Sequence, residues 1–152
     1  MTIKQFIEIR QDGKVIDETM KSEDIFALGS TEKIIEVQWS NGSQSVSLRD
    51  THGVLAKVVP GRNFVATNGH DESGQHRIFS VINADGSPHL QLPNIQAIHG
   101  KNEEGEFCWF EPPRVESPNV FGVVFNRASD NSMFQLDIDA ASGNVLGVFP
   151  IR

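Results

Sequence analysis

The last twenty residues, Met133 to Arg152, read MFQLDIDAASGNVLGVFPIR and hold the clearest constraint on the fold. Phe134, Leu136 and Ile138 alternate with Gln135, Asp137 and Asp139. That period of two belongs to a strand with one face in a core and the other in water. Ala141-Ser142-Gly143-Asn144 follows as a turn, with a glycine able to take positive φ. Val145 to Phe149 then runs back as a second strand, and Pro150 fits its edge or end. On this reading Asp137 and Asp139 face outward from an exposed strand.

The same unit recurs in variant form. Ile3, Ile7 and Ile9 suggest a strand from Thr2 to Arg10, and Gln11-Asp12-Gly13-Lys14 a hairpin turn into Val15–Thr19. Ile35, Val37 and Trp39 alternate with Ile34, Glu36 and Gln38 before the Asn41-Gly42 turn and a return through Val46 and Leu48. Val54 to Val59 is apolar on both parities except Lys57, the pattern of an interior strand. Short strands are expected at 63–67, 76–82, 89–92, 95–99 and 120–125, with a polar loop at 68–75 and an acidic loop at 100–106. One short helix fits near 22–29: Ser22 as cap, Glu23 and Asp24 in the first turn, Gly29 at the end. Turn signals at roughly 8–12-residue spacing with almost no helical periodicity predict one all-β domain over residues 1–152. It would be an antiparallel β-sandwich or a partly open β-barrel built from consecutive hairpins. Pairing the first strand with the last would close the sheet and remove its edges.

Charge and cysteine usage narrow the function classes. The net charge of −7 leaves no basic footprint, which argues against nucleic acid and anionic membrane. A single cysteine, Cys108, cannot form an internal disulfide. The charged N-terminus lacks the apolar stretch of a signal peptide, so a cytoplasmic protein is expected.

Three groups of residues invite chemistry. His70, Asp71 and His76 are the densest set of metal-type ligands, with a solvated loop as the plainer reading because their spacing matches no metal motif. Cys108 lies between Phe107 and Trp109, where a thiol is a small buried apolar group rather than a nucleophile, and no serine sits in a nucleophile elbow. No catalytic residue is assigned, and no cofactor is expected beyond a divalent metal at the histidines. The third group is Glu103, Glu104, Glu106, Trp109 and Glu111, where carboxylates frame aromatics as they do in protein-binding patches. Its competing reading is a core strand with acidic loops, since parity sends Phe107 and Trp109 one way and Cys108 and Phe110 the other.

The expectation is therefore an acidic, non-catalytic protein-binding module for a basic partner, of the kind a bacterial immunity or antitoxin protein represents. The alternatives are a metal- or small-molecule-binding barrel using the His-rich middle third, enzymatic or not, and a self-associating structural or accessory subunit.

Overall fold

A computed structural model describes residues 2–151. Thirteen strands run in chain order: β1 (Ile3–Arg10), β2 (Val15–Asp17), β3 (Ile34–Asn41), β4 (Gln44–Arg49), β5 (Leu55–Val58), β6 (Phe64–His70), β7 (Arg77–Asn83), β8 (Pro88–Leu92), β9 (Ile95–Ile98), β10 (Lys101–Glu111), β11 (Val120–Arg127), β12 (Met133–Asp139) and β13 (Val145–Ile151). The short helix α1 (Ser22–Phe26) lies between β2 and β3. All pairing is antiparallel, in three sheets ordered β2-β1-β3-β4, β5-β6-β7-β8 and β13-β12-β11-β10-β9. The third sheet curls into a half-barrel, bringing its edge strands β9 and β13 into contact. The all-β antiparallel expectation holds.

The three sheets stack in layers. Val65 and Ile82 point from the middle sheet into a first core with Phe6, Val37 and Trp39. Their neighbours Ala66 and Val81 point the other way, into a second core with Phe107, Phe121 and Leu136. Alternation thus survives in the middle sheet, but both of its faces are apolar. The chain has ten phenylalanines and no tyrosine, and the second core gives this a physical reason. Phe79 sits with ring centroids 4.4 Å from Phe107, 5.8 Å from Phe110 and 5.8 Å from Phe121, and Phe107 is 5.2 Å from Phe125. A ring at the centre of such a layer has no water or spare acceptor for a phenolic hydroxyl.

Several expectations are corrected. Val54–Val59 is not an interior strand: β5 is the edge of the middle sheet, and its apolar ends are buried by the layers above and below it. The first and last strands do not close a sheet, because β1 lies inside the first sheet and β13 at the edge of the third. The acidic loop at 100–106 is strand: His99 and Gly100, at φ 49° and 83°, make the turn, and β10 pairs with β9 from Lys101 onward. The polar loop expected from residue 68 starts later, after β6 ends at His70. In α1, Lys21 rather than Ser22 is the N-cap, and the Asp24 carboxylate accepts the Lys21 backbone N–H at 2.9 Å. Asp137 does not face water, being 0% exposed.

Glu8 stands opposite Val37 in the β1–β3 register, so its carboxylate turns toward the first core. Burial raises its pKa above the ordinary value, with the Lys57 charge opposing. A raised folded pKa penalises the ionised form: the penalty is absent below the unfolded pKa and complete above the folded one. Glu8→Gln is therefore expected to raise the melting temperature at about pH 7 and to leave it unchanged near about pH 3, below the carboxylate range. Thermal scans of both proteins across that interval check this.

Candidate protein-binding face

The longest strand, β10, carries the acidic–aromatic segment, and a β-bulge decides which of its residues are available. Phe107 pairs with Phe125 and Phe110 with Val123, so three positions on β10 span two on β11. Both phenylalanines consequently reach the same core. Simple alternation would have turned Trp109 inward with Phe107; the extra residue turns it out, and its ring is 44% exposed. Asn68, itself buried, donates to the Phe107 and Cys108 carbonyls at 3.0 Å each and anchors the bulge to β6.

The outer face of the third sheet follows from this register. Glu104 and Glu106 point away from the core on one side of the bulge, Trp109 and Glu111 on the other, and the indole N–H donates to Glu111 Oε1 at 2.7 Å. Ile95 pairs with Glu104 and is itself exposed. A cleft of about 580 Å³ opens here, lined by Ile95, Glu104, Glu106, Asn126, Ala128 and Asn131. Among the described residues neither Glu104 nor Glu106 has a cation within 4.0 Å.

Glu103 does not belong to this face. It points to the core side, where it lies 3.8 Å from Arg127. Arg127 also stacks over Phe134 and pairs with Asp130, holding the Asp130 carboxyl well below its usual range. The five residues expected to act together are thus four on one face and one on the other. Sequence reasoning missed Ile95, whose exposure depends on the half-barrel leaving β9 at an edge. It also missed Phe26 on α1, 86% exposed beside a groove of about 720 Å³ that Ile16, Ile25 and Ile34 help to line.

The histidine group comes apart. His70 Nδ1 lies 2.8 Å from the Gly53 carbonyl and 3.4 Å from Asp50, whereas Asp71 accepts the Ser73 hydroxyl at 2.7 Å. That bond, and the proximity of His76, hold the Asp71 carboxyl below its usual range. Among the described residues no three His, Cys, Asp or Glu side chains stand together as a metal set. The turn at Asp71–Gly74 spends its polar groups on its own backbone, so His70, Asp71 and His76 do not converge. Cys108 is half-buried, and burial together with the Glu106 charge pushes its thiol pKa up, away from nucleophilic use. No described helix is long and apolar enough to cross a membrane.

No protein-family model matches this sequence, and no curated protein matches it significantly. Among solved structures, a chain in the structure of Tne2 in complex with Tni2 is 33% identical, with 99% of this chain and 99% of that chain covered and a TM-score of 0.90. That relative stands in a complex of two different proteins. Identity at this level over the full length of both chains means that the protein belongs to the same family as that member of the Tne2–Tni2 pair.

Proposed function

We propose that this chain is a non-catalytic, cytoplasmic binding protein of the immunity or antitoxin type, which neutralises a basic partner protein by covering it with the outer face of the third sheet. The observation that carries the reading is the full-length relationship to a protein that stands in a two-protein complex. The bulge at Phe107–Phe110 supports the choice of face, since it exposes Trp109 between the outward carboxylates Glu104, Glu106 and Glu111. Large aromatics with a charged rim supply, respectively, contact area and steering toward an oppositely charged surface.

Gentle purification from the native host followed by native mass spectrometry is the direct test. It is expected to return a stoichiometric complex with a second, basic protein that also re-forms from the two purified components. Recovery of a bare monomer, or of a co-purified protein that does not rebind it at micromolar concentration once separated, would sink the proposal. With the partner in hand, the Glu104→Lys, Glu106→Lys double variant should associate roughly ten-fold more slowly at low salt. The difference should vanish near 1 M salt, where screening acts within about 3 Å. Circular dichroism should show an unchanged fold.

A further inference from the structure

The segment running from the last residue of β10 to the start of β11, residues 111–119, crosses the outer face of the third sheet, and what holds it there is unusual for a surface connection. Beneath it lie Gln135 and Asp137, on the face of β12 opposite the core residues Leu136 and Ile138, and both are buried. Asp137 Oδ2 accepts the backbone N–H groups of Arg114 and Val115 at 2.7 Å each. Gln135 Nε2 donates to the Pro112 carbonyl at 2.9 Å and to Asp137 Oδ1 at 3.0 Å.

The surroundings are shaped to match. A Cβ on Gly122 would come within 2.5 Å of the Glu111 carbonyl and 3.2 Å of Asp137 Oδ1. At the far end the Gly61 N–H donates to the Pro118 carbonyl at 2.6 Å. Pro112, Pro113 and Pro118 fix φ at three positions.

Withdrawing a carboxylate from water is costly unless its hydrogen bonds are replaced, and an apolar side chain would cover the sheet as well. What the carboxylate adds is direction: it sets two successive peptide groups while the Arg114, Glu116, Ser117 and Pro118 side chains stay exposed. Arg114 is drawn back over the Phe149 ring, 4.8 Å from its centroid, so the loop offers Glu111 and Glu116 outward at its two ends. It also continues directly from Trp109.

We infer that residues 111–119 are a preset contact loop, clamped by Asp137 and Gln135, which docks against a Lys- and Arg-rich surface of the partner protein. The inference rests on the binding role proposed above and extends its face beyond β10. A segment already ordered in its bound shape avoids the ordering cost of association. Asp137 and Gln135 are positioning residues and touch no partner group.

The partner identified above, purified, is the probe. Hydrogen exchange of the complex is expected to show new protection across residues 114–118 as well as on β10. The Pro112→Gly, Pro113→Gly variant, which leaves the buried pair untouched, should dissociate about ten-fold faster with an unchanged association rate. In the free protein, Asp137→Asn should speed exchange of the Arg114 and Val115 amides at least ten-fold while the Val123 and Leu136 amides keep theirs. A footprint confined to residues 95–109, or unchanged dissociation of the proline variant, overturns the contact loop and leaves the binding role standing. Failure to form any complex removes both.

Discussion

Replacing Phe79 by alanine should lower the unfolding free energy by roughly 3–5 kcal/mol, the range for deleting a buried aromatic ring. Phe79 is almost fully buried in the middle layer and touches rings from β10 and β11 of the third sheet, so its removal opens a cavity between the two layers. The cost combines lost transfer free energy with a cavity that a close-packed interior closes only in part. Urea titrations are the measurement: the midpoint should fall with the slope unchanged. A loss below about 1 kcal/mol, the scale of ordinary point mutants, would mean that the two layers are not packed through this ring. Phe110→Ala, at a half-buried ring on the edge of the same cluster, should cost less.

Trp109→Ala is expected to have the largest effect on association. An aromatic anchor at the centre of an interface contributes about 2–4 kcal/mol, equivalent to a dissociation constant raised by roughly thirty- to a thousand-fold. Most of the change should appear in the dissociation rate. Stability should move by no more than about 0.5 kcal/mol, as for an exposed site, since the ring is half in water and its hydrogen bond runs to the equally local Glu111. Binding kinetics and urea midpoints on the same preparation separate the two effects. An unchanged dissociation constant would move the centre of the interface away from β10, and Phe26→Ala on α1 would then be the variant to measure.

Strand positions were largely legible because each short alternating run is bounded by residues that turn. The run Phe134-Gln135-Leu136-Asp137-Ile138 became β12 with its apolar side chains in the core, as its period requires. Layering was not legible. Whether Val54–Val59 is central or peripheral depends on which sheets stack above and below it, and adjacent residues carry no record of that. The bulge on β10 was equally hidden, since one extra residue reverses parity without changing composition. The acidic loop failed for a related reason: a strand with carboxylates on both faces, Glu103 on one and Glu104 and Glu106 on the other, reads like a solvated loop. Asp137 is the sharpest case. Local alternation put it outside the core, correctly, but its burial comes from a connector more than twenty residues earlier in the chain.

The layered arrangement has a consequence for synthesis on the ribosome. Every strand pair but one joins neighbours along the chain, the exception being β1 with β3, and no strand crosses from one sheet to another. Each sheet can form as it emerges, in order. The first sheet is complete at Arg49, yet the residues that cover its apolar face, Val65 and Ile82, come later from β6 and β7. At roughly 5–20 residues per second, translation leaves that face uncovered for a few seconds. The middle sheet then arrives with one apolar face already matched and its other face waiting for β10 to β12. The nascent chain thus carries a sticky growing end from its first sheet until its last, and slow translation or a truncated product would present that end to other chains.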